Sequence, residues 1–266
     1  MKYSIQSCAM AGGKWGETLN IEDLCKYTSA IGLDAIDWLS TYNNTPEEVR
    51  QIMDDYGLVT SCYTFFADMA FPEINMESLD IFKKDIDTAC ILGTDTVMIP
   101  YIGKEDIPRN IQREYIIKHL EKVINYATEK NIIVTVEDFP GRNAPFLIAD
   151  DIIEAHKILP DLWYTYDSGN MLTGLEDPIV NFLKTKDFVK FMHFKDFSRT
   201  EEICGPIGAD NMHYRPELIG EGLVDYKTLV PLVKKYYDGY INMEYEGADY
   251  SKEEAVVKAV NYLNSL

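Results

Sequence analysis

Eight times along this chain, a short run rich in β-branched and aromatic residues gives way to a longer segment whose apolar positions recur three and four apart. Repeated without a break, that strand-then-helix alternation is the pattern of a closed parallel barrel, in which each helix covers the strands it connects. The strands read KYSIQS, LDAIDWL, LVTSCYTFF, TDTVMIP, IIVTVED, LWYTYD, VKFMHFKD and YINMEYE. Between them lie amphipathic stripes such as Ile116, Leu120, Val123, Ile124 and Ala127, or Val256, Ala259, Val260 and Leu263, which predict helices packed on the strands.

Local start signals agree with the periods. Thr45-Pro46-Glu47-Glu48 supplies an N-cap, a proline at the first helical position and a capping-box glutamate, and Ser251 with Glu254 repeats the box. No Gly/Ser linker or compositional shift marks a domain boundary, and the stretch from Cys204 to Gly222 reads as a long loop after strand seven. A doubly wound open sheet also alternates strands and helices, but Ala11-Gly12-Gly13-Lys14 after strand one lacks both the GxGxxG spacing and the GxxxxGK[ST] pattern. The 266 residues, 46% of them hydrophobic, suit one barrel of ~250 residues. The expected fold is therefore α/β, a (β/α)8 TIM barrel occupying residues 1–266 as a single domain.

Composition narrows the partners. A net charge of −19 leaves little basic surface to neutralise phosphates, so nucleic acid is not expected as a partner. The five cysteines are odd in number, scattered and without a CxxC pair, which fits reduced thiols in a cytoplasm. No signal peptide or membrane span is legible, so a cytoplasmic protein without a membrane partner is expected. A homo-oligomer is compatible with all of this.

In a parallel barrel, the C-terminal strand ends converge on one mouth, and alternate residues point into the lumen. Strand five ends at Glu137-Asp138, strand six at Asp167 and strand seven at His193-Phe194-Lys195-Asp196. On strand eight, Asn242, Glu244 and Glu246 share one face, opposite Ile241, Met243 and Tyr245. Taken singly, Asp167 would serve as a helix N-cap and His193 as a hydrogen-bonded core residue. On four consecutive strands, Glu137, Asp167, His193 and Glu244 instead bring three carboxylates and an imidazole together, a repulsive set that a divalent cation relieves. Three oxygens and one nitrogen with open positions favour Mn2+, with Mg2+, Co2+ and Zn2+ also admissible.

The segments TVEDFPG, YDSGN, HFKDFSR, GEGLVDY at Gly220 to Tyr226 and YINMEYEG resemble the sugar phosphate isomerase/epimerase superfamily, whose xylose isomerase-like barrels resemble apurinic endonuclease family 2. The resemblance covers essentially the whole chain. It implies a divalent metal on Glu137, Asp167, His193 and Glu244, with Glu137 and Glu244 doubling as general base and acid. It also places Arg199 where ketose 3-epimerases carry a substrate-gripping arginine. Two positions depart from that pattern: Asn170 stands at a substrate-binding position where those enzymes have a histidine, and Asn143 where they have a second glutamate. The HxKD run at His193 to Asp196 is more similar to inosose dehydratases.

A metal chelating a carbonyl and its neighbouring hydroxyl acidifies the C–H between them through an enediolate. Reprotonation then gives an epimer or an aldose–ketose isomer, and loss of a β-hydroxyl gives dehydration. The expected function is thus a metal-dependent isomerase or epimerase of a small sugar, polyol or hydroxy-carbonyl compound. The alternative is a lyase of the inosose dehydratase type. Lys195 would hold a hydroxyl or pair with a nearby acid, and Glu246 would be a second acid or a hydrogen-bond partner. Trp38, Phe65, Phe66 and Tyr101 follow strand ends and would offer flat faces to a sugar, or pack in the core. His213 and Arg215, in the loop after strand seven, would suit a phosphate or carboxylate, but no phosphate-binding glycine pattern accompanies them. An apurinic endonuclease would need more histidines than His119, His156, His193 and His213, of which the first two fall in helical segments.

Overall fold

A computed structural model describes residues 1–11 and 19–266, so the expectation placed on Gly12 to Lys14 lies outside the described residues. Eight parallel strands close a barrel: β1 (Lys2–Gln6), β2 (Ala35–Trp38), β3 (Val59–Thr64), β4 (Thr96–Ile99), β5 (Ile133–Glu137), β6 (Leu162–Asp167), β7 (Val189–Phe194) and, last in the chain, β10 (Tyr240–Met243). Each pairs with its sequence neighbours among the eight, and β1 pairs with β10 to close the ring. All eight predicted strands are present: β6 spans its whole predicted run, and the others are shorter at one or both ends.

Around the barrel lie α1 (Ser7–Met10), α2 (Ile21–Ala30), α3 (Pro46–Asp55), α4 (Met76–Leu92), α5 (Arg109–Thr128), α6 (Ala149–Ile158), α7 (Pro178–Thr185), α8 (Tyr226–Tyr236) and α9 (Lys252–Asn264). The predicted α5 stripe is buried along its whole length. At roughly 1.5–3 kcal/mol for each large aliphatic side chain, such stripes hold the helices on the strands. The capping box at Thr45 forms in both directions, and Ser251 caps α9 by accepting from the Glu254 amide.

One expectation is corrected. The stretch after strand seven is not simply a long loop, because β8 (Asp196–Thr200) and β9 (His213–Glu217) form an antiparallel hairpin there. Phe197 and Tyr214 alone supply its buried aromatic face, meeting edge to face with ring centroids 6.4 Å apart. Inside the barrel, Cys62, Met98 and Phe191 form an apolar cluster distinct from the main core between strands and helices.

Candidate metal centre at the barrel mouth

Strand alternation aims the polar residues. Trp38 and Asp37 are adjacent on β2 and point to opposite sides: Trp38 packs outward, its Nε1 2.9 Å from Met53 Sδ on α3, while Asp37 points into the lumen. On β6 and β7, Asp167 and His193 are register partners and stand at one height. Just past β10, the Glu244 amide donates to Phe194 O at 3.0 Å and extends the ladder by one residue.

Glu137, Asp167, His193 and Glu244 are all buried, and one ligand atom from each lies within 4.8 Å of all the others. His193 Nδ1 lies 3.0 Å from Glu137 Oε1 and 3.5 Å from Glu244 Oε2. Asp167 Oδ1 accepts from the Gly169 and Asn170 amides at 2.7 and 2.9 Å, which leaves Oδ2 buried without a hydrogen bond. Neither His193 nitrogen has an aligned hydrogen bond. Asp167 Oδ2 and the His193 nitrogens, buried without hydrogen bonds, converge with the Glu137 and Glu244 carboxylates in a set that fits a divalent cation, so this cluster could hold one.

The electrostatics express the same need for positive charge. Burial, with Glu137 and Glu244 beside it, pushes Asp167 up to about 7 against the pull of Lys195. Burial lowers the His193 imidazole, but Glu137, Asp37 and Glu244 together raise it well above its ordinary value. Burial also opposes ionisation of Glu244, yet Lys195 and His193 hold its carboxyl down to about 2.

A cleft opens above the cluster, lined by Gln6, Cys8, Leu39, Thr64, Phe66, Met98, Pro100, Glu137, Phe139, Pro140, Lys195, Glu244 and Glu246. Lys195 Nζ bridges Glu244 Oε1 at 2.9 Å and Glu246 Oε2 at 3.6 Å. Lys195 pulls the Glu246 carboxyl down, but burial, Glu244 and Glu137 together outweigh it and raise the group above its ordinary value. The structure therefore brings Lys195 and Glu246 to the cleft together with Glu137 and Glu244.

Other candidates lie elsewhere. Trp38 is sealed in the core, where it also meets Tyr42 edge to face. Arg199 is half exposed on β8 and pairs with Asp210 at 2.5 Å. Asn170 is buried beneath the cluster, its side-chain amide donating to Asp138 O at 2.8 Å. Of the aromatics, Phe66 lines the cleft, whereas Phe65 packs on Phe82 of α4 and Tyr101 on Phe146. His213 bonds Cys204 O and Arg215 pairs with Glu217, so neither lines the cleft. His119 accepts from the Asn75 amide, and His156 packs against Trp163 and Phe188, each remote from the cluster.

Sequence reasoning did not single out Asp37, a fully buried carboxylate 3.2 Å from His193 Nε2, although strict alternation on β2 points to it. It also left unexplained why HFKD and GEGLVDY occur in one chain. Asp196 supplies the reason: its carboxylate accepts the backbone N–H groups of Phe197, Gly220, Gly222 and Val224. A side chain at Gly222 would put its Cβ 2.2 Å from Asp196 Oδ1, so only glycine allows this approach.

No curated protein sequence matches the chain. Among solved structures it is similar to the probable 3-DHS dehydratase AsbF of Bacillus anthracis, at 16% identity over 99% of both chains with a TM-score of 0.79. It is also similar to the 3-keto-D-glucoside 4-epimerase YcjR of E. coli, at 15% identity over 100% of both chains and TM-score 0.77. A third is a xylose isomerase-like TIM barrel protein of Mycobacterium smegmatis in complex with magnesium, at 18% identity over 99% of this chain and 95% of that one, TM-score 0.73. At these identities the likenesses speak to the fold. The model of the xylose isomerase-like TIM barrel family matches residues 25–266, and the chain belongs to that family.

Proposed function

We propose that this protein is a divalent-metal-dependent isomerase or epimerase of a small, uncharged sugar, polyol or related hydroxy-carbonyl compound. The observation that carries the reading is the convergence of Glu137, Asp167, His193 and Glu244 within 4.8 Å at the floor of a cleft. A cation held by these four, Mn2+ in our reading, would supply positive charge opposite the oxygen of a carbonyl compound that is losing an α-proton. Glu137 and Glu244 both line the cleft, so each can take or return a proton at a carbon seated between them.

Lys195 gives the negative charge that develops on the substrate a fixed cationic partner. Leu39, Phe66, Met98, Pro100, Phe139 and Pro140 form an apolar wall suited to the C–H face of a carbon chain and exclude water from it. Among the described residues of the cleft, Lys195 is the one cation, and two glutamates already engage it, which favours a substrate without phosphate or carboxylate. The net charge of −19 and the free cysteines support a cytoplasmic protein that does not bind nucleic acid. Among the described residues, no helix is long and apolar enough to cross a membrane.

Dehydration is the second reading, and the Lys195–Glu246 pair favours it, since an acid lining the cleft could protonate a departing β-hydroxyl. Both readings share one test. Protein purified without added metal is analysed for elements, and solvent deuterium incorporation is followed across neutral ketoses and keto-polyols. The expected result is one divalent ion per chain with deuterium entering beside the carbonyl; release of water with an unsaturated product selects the lyase. Protein that takes up no ion even after reconstitution overturns the proposal.

A further inference from the structure

Five strands contribute to a buried polar chain beneath the cluster. Ser4 on β1 donates to Asn242 Oδ1 on β10 at 3.3 Å, and Asn242 Nδ2 donates to Asp37 Oδ2 on β2 at 3.2 Å. Thr64 on β3 donates to Asp37 Oδ1 at 3.0 Å. His193 on β7 sets Nε2 3.2 Å from Asp37 Oδ2. Ser4, Asp37, Thr64, His193 and Asn242 are all buried, so water does not substitute for any of these partners.

The direction of the bonds determines what Asp37 can do. The Ser4 hydroxyl occupies the Asn242 carbonyl oxygen and so turns the amide NH2 toward Asp37. Thr64 spends its hydroxyl proton on the other carboxylate oxygen. Asp37 thus meets donors at both oxygens and serves as an acceptor. What it asks of His193 Nε2 is a proton, and a small turn of the ring aligns that bond. A neutral imidazole with its proton on Nε2 presents a lone pair at Nδ1, the nitrogen that faces Glu137 and Glu244.

We propose that Asp37 is a positioning residue that fixes the tautomer and ring angle of His193, directing the Nδ1 lone pair into the metal cluster. The role rests on the metal-site reading above. Neither the metal-competent set nor the cleft lining includes Asp37. It acts through His193, as carboxylates behind metal-bound histidines do, where their loss typically costs about 10–100-fold in metal affinity.

The test measures Zn2+ affinity by chelator competition, and the visible spectrum of the Co2+ form, for wild type, Asp37→Asn and Asp37→Ala. We expect wild type to bind one ion and both variants to bind about 10–100-fold more weakly, with a shifted Co2+ spectrum. A purely structural role for Asp37 would lower stability but leave that spectrum unmoved. A second measurement needs no variant at Asp37: 15N spectra of histidine-labelled Zn2+ wild type, with His193 assigned by His193→Gln. A protonated Nε2 and a metal-shifted Nδ1 support the role, and the reverse pattern overturns it. Unchanged affinity and spectrum in folded variants overturn the role of Asp37 alone, whereas a wild type that binds no ion removes the metal site itself.

Discussion

Removing the Tyr226 hydroxyl tests how the cluster is braced. At the turn after β7, four polar groups share two hydroxyl protons: Lys195 N donates to Ser168 Oγ at 3.0 Å, Ser168 Oγ and Tyr226 OH both reach Lys195 O at 3.0 and 2.9 Å, and the two hydroxyls lie 2.7 Å apart. In Tyr226→Phe, the Ser168 proton still reaches Lys195 O, so no buried polar atom is orphaned. The loss is then one to two neutral hydrogen bonds, about 1–2 kcal/mol. In Ser168→Ala, Tyr226 still serves Lys195 O, but the buried Lys195 N–H loses its acceptor. The unsatisfied donor adds about 1–3 kcal/mol to the lost bonds. Ser168→Ala should therefore be the more damaging change, although each variant deletes a single hydroxyl. Urea unfolding of both variants in chelator measures this without a contribution from bound ions. Equal losses, or a larger loss for Tyr226→Phe, would refute the accounting.

Three further outcomes follow from the site. The Asp167 carboxyl is pushed up to about 7, above the ~3.9 of an unfolded chain, so metal-free protein loses this contribution to stability as pH rises from about 4 through 7. A bound cation removes that loss, and the rise in Tm on adding Mn2+ should grow across the same window; an increment independent of pH contradicts the assignment. Lys195→Met should keep its metal stoichiometry while kcat falls about 100-fold, and unaltered turnover would exclude Lys195 from the chemistry. Arg199→Ala removes an exposed ion pair with Asp210, so stability should change by less than about 1 kcal/mol and KM should not move. A large rise in KM would mean that Arg199 reaches the substrate from its hairpin.

The barrel was legible because its signals are local and repeated. Alternating strands such as Ile241 to Glu246, the α5 stripe and the Thr45 box each act within a few residues, and tertiary packing reinforces all of them. The β8–β9 hairpin was not legible, because its two strands are separated by Glu201 to Met212 and only Phe197 and Tyr214 mark a buried face. Pro216 within β9 weakens the strand pattern further, yet an edge strand tolerates it. The placement of Arg199 depends on that hairpin, so its position in the sequence could not say which way its side chain turns.

At the mouth, Glu137, Asp167, His193 and Glu244 could be read in sequence because each stands at a strand end and is of a type that a packed core rejects. Asp37 met both conditions and was passed over for the aromatic beside it. The period of two decides between them: one of the adjacent pair Asp37-Trp38 must face the lumen and the other the helices, and an indole backed by Met53 belongs with the helices. What no local rule supplies is the partner. Asp37 and His193 lie 156 residues apart on strands that are not neighbours, and they meet because closure of the barrel brings β2 and β7 together across the lumen. A carboxylate buried at that point, with Thr64 and Asn242 already donating to it, is costly unless it serves a group in need of an acceptor, and the His193 imidazole is the group within reach.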